Sequence, residues 1–142
     1  MSASALVDTN VLVYAVDEDE PEKRDTARKL LAASQPGALT LSAQVLGEFY
    51  VTVTRKLARP IPAAAATALL EWLELFPMVQ IDAALVKHAV EISRSAQISY
   101  WDGLVVAAAA RADCDRLLSE DLGDGQKIAG VLVENPFRLS SD

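Results

Sequence analysis

"LVDTNVLVYA", residues 6 to 15, sets Asp8, Thr9 and Asn10 inside an otherwise aliphatic run. Burying an unpaired carboxylate costs several kcal/mol, so an apolar segment that keeps one needs a partner for it. The stretch divides at that aspartate. "ASALV" (3–7) is a short apolar run of the kind that forms a buried strand, and Thr9 opens a short helix. A strand that turns into a helix at an aspartate is the opening unit of an α/β protein, and the same alternation continues downstream.

"EKRDTARKLLAA" (22–33) has helical spacing and is stopped by Gln35-Pro36-Gly37; "ALTLS" (38–42) is a second strand. The pattern then predicts a helix from Ala43 to Leu57, with Val45, Phe49, Val53 and Leu57 four residues apart. Pro62 opens another helix to Phe76, "MVQI" (78–81) is a third strand, and Asp82 begins a helix to about Ser95. Ser99 begins the last helix, whose "GLVVAAAA" (103–110) is apolar all round, as expected between layers. "RLLS" (116–119) and "VLV" (131–133) complete the strands. The expected fold is a three-layer α/β/α sandwich with a central parallel sheet, in one domain over residues 1–142.

Composition limits what such a domain can do. The 142 residues are 51% hydrophobic, enough for a sizeable core with some apolar surface left for a partner. Twenty acids against 13 bases give a formal charge of −7, which argues against a general phosphate-backbone binder but not against a nuclease that neutralises its carboxylates with cations. Cys114 is the only cysteine, so neither a disulfide nor a thiolate zinc cluster can form within the chain. "MSASALVD" lacks the basic and apolar regions of a signal peptide, and no apolar stretch approaches the ~20 residues of a membrane span; a cytoplasmic protein is expected.

In a parallel α/β sheet, ligands bind beyond the carboxyl ends of the strands. Asp8 follows the first strand, Glu48 lies in the second turn of the helix after the second, Asp102 in the first turn of its helix, and Asp121 two residues beyond the fourth strand. Taken singly, Asp8 could be a helix cap, Ser99 and Asp102 a capping pair, and Asp121 part of a polar turn in "SEDLGDG". Glu48 lies too deep in its helix to be a cap. Asp82 needs no role beyond capping "DAALVKHA", and His88 shares a stripe with Leu85, Ala89 and Ile92 that places it at the core boundary.

The four acids converge on one rim. Two carboxylates ~5 Å apart repel by roughly 3 kcal/mol at an effective dielectric of ~20, so several at one rim require protonation or a cation. Oxygen-only ligation suits Mg²⁺ or Mn²⁺. No Ser-His or Cys-His pair offers a nucleophile, which leaves water activated by a metal ion, the logic of phosphodiester hydrolysis. A phosphatase with an aspartyl nucleophile after strand one needs a second acid two residues on, where this chain has Asn10; a receiver domain needs its phosphoacceptor after strand three, where only Asp82 stands. A Gly-rich phosphate loop is absent.

With "LVDTNVLVYA", "LSAQVLGEFYVTVTRK", "ISYWDGLVVAAAA" and "LLSEDLGDGQKIAGVLVENPF" in this order, the chain resembles PIN domains, and among them the VapC-type ribonuclease toxins of type II toxin–antitoxin systems. The resemblance implies Mg²⁺-dependent endoribonuclease activity, with Mn²⁺ a substitute. Asp8, Glu48 and Asp102 would hold the metal, and Asp121 would complete the site or orient the attacking water. Glu120 and Asp124 flank Asp121 and are alternatives for the fourth acid. Thr9 and Asn10 are expected to support the first acid, though Thr9 serves equally as a plain helix cap. The resemblance also implies a small VapB-type antitoxin and a homodimer or higher hetero-oligomer. An RNA-processing nuclease without a toxin role, or a catalytically silent binding module, would use the same fold. Arg55, Lys56 and Arg59 form a basic cluster for RNA or for a helix C-terminus. Leu69, Trp72, Leu73 and Phe76 form a stripe for the core, while Leu70 and Leu75 lie off it as candidates for an interface.

Overall fold

The three residues of β1, Ala5–Val7, are fully buried and alternate between two cores. Leu6 packs with Leu85, Leu104 and Leu117 on one side of the sheet; Ala5 and Val7 pack with Leu12, Leu41 and Val45 on the other. Two helical layers around a sheet follow directly, and the computed structural model, which describes residues 4–138, shows them. The chain runs β1, α1 (Thr9–Tyr14), α2 (Pro21–Ala33), β2 (Leu39–Ser42), α3 (Ala43–Val51), α4 (Ala63–Leu73), β3 (Met78–Val79), α5 (Ala83–Ala96), α6 (Tyr100–Arg111), β4 (Arg116–Leu118), β5 (Lys127–Ile128) and β6 (Val131–Glu134).

The sheet order is β3-β2-β1-β4-β6-β5. β1 lies between β2 and β4 in parallel register, Leu6 opposite Thr40 on one side and Leu117 on the other. The first strand therefore occupies the middle of the sheet, and its carboxyl end opens at the centre of the rim.

The sheet is mostly parallel, with one departure from expectation. β5 pairs antiparallel with β6, Ile128 opposite Val131. The two-residue turn between them holds Ala129 and Gly130 at φ 51° and 83°, the paired positive angles of a tight hairpin. A left-handed alanine is uncommon, which is why this edge strand is not visible in the sequence.

The helices follow their caps. Ser42, Asp82 and Ser99 accept the N–H groups of Val45, Leu85 and Asp102 at the starts of α3, α5 and α6. α6 is buried along Gly103–Ala109. It approaches α5 so closely that a Cβ on Gly103 would lie 2.6 Å from the carbonyl oxygen of Ala89.

Two helices end early. α3 does not run to Leu57 as one α-helix: Thr52–Lys56 form a π turn, with the Leu57 N–H reaching the Thr52 carbonyl at 3.1 Å. α4 stops at Leu73 rather than Phe76, and Trp72, expected in the core stripe, is 45% exposed. "ASALV" and "MVQI" shorten to three and two strand residues, with Ala3 outside the described residues.

Candidate metal centre

Asp8 is 5% exposed at the end of β1, and the chain satisfies its oxygens with short-range donors. Oδ1 accepts the Thr9 N–H at 2.8 Å; Oδ2 accepts the Ser119 hydroxyl at 2.8 Å and the Asn10 amide at 3.4 Å. Its own N–H bonds to the Leu118 carbonyl across the sheet. Burial still dominates: together with the charges of Asp121 and Glu48 it outweighs these bonds and pushes the carboxyl up to about 6.

Thr9 supports the second acid rather than the first through its side chain. Its hydroxyl donates to Glu48 Oε1 at 2.8 Å, while only its backbone serves Asp8. Gln44, one helical turn before Glu48, donates to Glu48 Oε2 at 3.2 Å and to the Trp101 carbonyl at 3.1 Å. That arrangement leaves Gln44 Oε1 buried with no partner among the described residues. An unsatisfied buried acceptor costs about 1–3 kcal/mol, a sign that Gln44 is placed for the site rather than for stability.

Asp102 enters from α6, its N–H capped by Ser99. Burial raises its carboxyl, and the charges of Asp121 and Glu48 add to that. Asp121, exposed, follows β4; its N–H donates to Ser119 Oγ at 3.1 Å, and it lines a cavity together with Thr9, Asn10 and Glu48. The cavity holds about 620 Å³ and is also walled by Tyr14, Val51, Thr52 and Lys56. Asp121 and Glu48 thus act by their charge on both Asp8 and Asp102 at one rim.

The two alternatives to Asp121 are occupied elsewhere. Glu120 accepts Tyr14 Oη and Lys23 Nζ, both at 2.6 Å. Burial raises its carboxyl, but those two donors outweigh that and hold it below the usual range. Asp124 accepts the Asn135 N–H at 2.8 Å and pairs with Arg138 at 3.5 Å. Asp82 caps α5 and pairs with Arg111 at 2.9 Å, and His88 is half-buried in a separate shallow cleft with Ile92 and Ile128.

Ser119, fully buried, is the residue that sequence reasoning passed over. Its hydroxyl serves Asp8, Asn10 and the Asp121 backbone at once. The one available signal was its place at the end of a strand, on the same rim as the acids. Asn10, expected beside the first acid, also accepts the Glu120 N–H at 3.0 Å and so ties α1 to the loop after β4.

A family model described as the PIN domain matches residues 5–126. The chain belongs to the PIN domain family. No curated protein sequence matches it significantly. Solved structures do. A toxin–antitoxin complex from Klebsiella pneumoniae superposes at TM-score 0.71 and 21% identity, covering 96% of this chain and 100% of that one. FitAB bound to the IR36 DNA fragment gives 0.72 and 21%, covering 96% and 97%. The sarcin–ricin loop cleaving toxin VapC20 of Mycobacterium tuberculosis gives 0.65 and 22%, covering 83% and 90%. At these identities the likeness establishes the PIN fold.

The PIN-domain acids fit a hard cation by their chemistry. All four are oxygen donors, and Asp8 and Asp102 are raised by burial and by the charges of Asp121 and Glu48, which a divalent ion would relieve. Among the described residues, no group of three or more histidine, cysteine, aspartate or glutamate side chains is arranged as it stands to hold a metal ion. A Mg²⁺ ion, which keeps several waters, would need only one or two of these carboxylates.

Proposed function

We propose that this PIN domain is a divalent-metal-dependent endoribonuclease and the toxin half of a toxin–antitoxin pair, acting as a single domain in the cytoplasm. The observation that carries the reading is the shared field of Asp8, Glu48, Asp102 and Asp121 beside a solvent-open cavity at the carboxyl edge of the sheet. Mg²⁺ or Mn²⁺, when bound, would supply charge neutralisation and Lewis acidity for hydrolysis of a phosphodiester. Asp8, Glu48 and Asp102 would hold the ion, and Asp121 would complete the set or orient the attacking water.

The chain's own residues set the geometry of that step. Ser119 and the Thr9 N–H fix Asp8 in one rotamer at the buried floor, and Thr9 and Gln44 hold the two oxygens of Glu48. Such clamping lets charge develop at the scissile phosphate against groups that need not reorganise. The toxin–antitoxin and ribosomal-loop-cleaving neighbours support the choice of RNA and of a toxin role.

The antitoxin, a small VapB-type protein, would cover the apolar ground of Trp72 and Leu75, which are 45% and 80% exposed. From that ground, which lies with Gln35, Gly37 and Pro77 at the amino ends of β2 and β3, it would run across the domain to present at the carboxyl edge an arginine, whose planar fork matches a carboxylate. A homodimer or a higher hetero-oligomer accompanies this reading.

The test is incubation of purified protein with RNA under Mg²⁺, Mn²⁺ and EDTA, with Asp8→Asn as control. Cleavage with either metal, and none in EDTA or in the variant, is expected; cleavage that persists in EDTA would overturn the reading. Growth arrest on expression, relieved by the adjacent small gene, is expected of a toxin; cleavage without arrest would make it an RNA-processing nuclease, and binding without cleavage a silent module.

A further inference from the structure

Gln44, Glu48, Thr52 and Lys56 stand four residues apart along α3 and its π turn, spanning about 18 Å at 1.5 Å per residue. In an α-helix each four-residue step drifts by about 40° around the axis. The i→i+5 pairing of the last turn winds more loosely and brings Lys56 back toward the face of Glu48. Lys56 accordingly lines the cavity with Thr52, Glu48 and Asp121, and makes no ion pair among the described residues. The other cations of its cluster do not: Arg59 pairs with Asp19 at 3.3 Å, and Arg55 is absent from the cavity wall.

At the opposite end of the same row, Gln44 holds the backbone of Trp101. Trp101 precedes Asp102 in the first turn of α6 and is 61% exposed, braced edge-on by Tyr100 at 4.8 Å. An indole left in water beside a row of acids, and steadied by a second ring, is a platform for a flat apolar group.

We propose that Trp101 and Lys56 bound the substrate track of this site, with an unpaired nucleobase stacked on Trp101 and a backbone phosphate held by Lys56, so that the strand crosses the acids between them. The assignment rests on the nuclease reading above and names the residues that would set its nucleotide preference. One stacked base and one phosphate contact correspond to about tenfold in affinity and about 0.7 in the salt slope.

The experiment measures binding apart from cleavage. Asp8→Asn/Trp72→Phe protein in EDTA, where Trp101 is the sole indole, is titrated with a single-stranded oligoribonucleotide. Trp101 emission should be quenched on binding, and an abasic residue at one position of the oligonucleotide should remove the quenching and weaken binding about tenfold. Lys56→Gln should lower the salt slope by about 0.7, and Arg55→Gln should leave it unchanged. Absence of quenching, or equal slopes for the two variants, overturns the track. So does a change in sedimentation of Trp101→Leu without RNA, which would assign the indole to a contact between copies. If wild type with Mg²⁺ cleaves nothing while the quenching and slopes come out as stated, the nuclease reading falls and the track stands. If it cleaves RNA with KM unchanged by Trp101→Leu and Lys56→Gln, the track falls and the nuclease stands.

Discussion

Asp8→Asn should make the metal-free protein more stable while removing its activity. In the folded chain the carboxyl titrates at about 6 against 3.8 when unfolded, with burial the leading cause. That difference of about 2.2 units corresponds to about 3 kcal/mol disfavouring the folded state at pH 7.5, where Asp8 is ionised. The sign follows from proton uptake: between pH 3.8 and about 6 the folded state binds the proton more tightly, so stability is highest below that window and is lost as pH rises through it. Asparagine keeps the shape without the charge. It still accepts from the Thr9 N–H, but it turns a donor toward Ser119 Oγ, which already accepts from Asn10 and from the Asp121 N–H. Discounting about 1 kcal/mol for that mismatch leaves a gain of about 2 kcal/mol, or about 6 °C in Tm for a chain of this size. Thermal melts in EDTA at pH 7.5 and pH 4 test it: the gain should appear at pH 7.5 and vanish at pH 4. Added Mg²⁺ should raise the Tm of wild type and leave that of the variant unmoved. A variant that melts below wild type at pH 7.5, or a gap equal at both pH values, would refute the reasoning.

Three further outcomes are expected. Asp121→Asn should lose most nuclease activity, whereas Glu120→Gln should retain it within a few-fold and change stability by less than about 1 kcal/mol, because its ion pair with Lys23 is partly exposed; the reverse order of rates would move the fourth acid to Glu120. Ser119→Ala, which removes a fully buried hydroxyl shared by Asp8, Asn10 and Asp121, should cost about 1–3 kcal/mol in urea denaturation, and stability equal to wild type would show the hub to be dispensable. Gly103→Ala should also destabilise, by about 1–3 kcal/mol of overpacking less a helix-propensity gain of about 1 kcal/mol, since its Cβ would meet the Ala89 carbonyl at 2.6 Å; a rise in the urea midpoint would contradict the close approach of α5 and α6.

The layers, and the rim to which the four candidate acids point, were legible for one reason: polar residues interrupt apolar runs at strand ends. Asp8 ends one such run and Asp121 follows another by two residues; Asp82 and Ser99 mark helix starts with the hydrogen bonds expected of them. What stayed hidden depends on backbone angles and on distant partners. The β5–β6 hairpin turns on a left-handed Ala129, and alanine carries no signal for that angle. The π turn keeps the apolar spacing of an α-helix, Val53 included, so periodicity alone reads straight through it. Arg55, Lys56 and Arg59 look alike along the chain, and only the fold separates the one on the cavity wall from the one paired with Asp19. Ser119 reads as an ordinary turn residue until Asp8, 111 positions earlier, is brought against it.

That separation has a consequence for biosynthesis. The rim is assembled from residues 8, 48, 102 and 121, and the central strand β1 gains its neighbour β4 only when Arg116–Leu118 has been made. A growing chain that ends before Ser119 has neither the hydroxyl that orients Asp8 nor the fourth carboxylate, so translation delivers the acid rim last. A fragment that stops before residue 121 lacks one of the four candidate acids and so cannot present the whole rim.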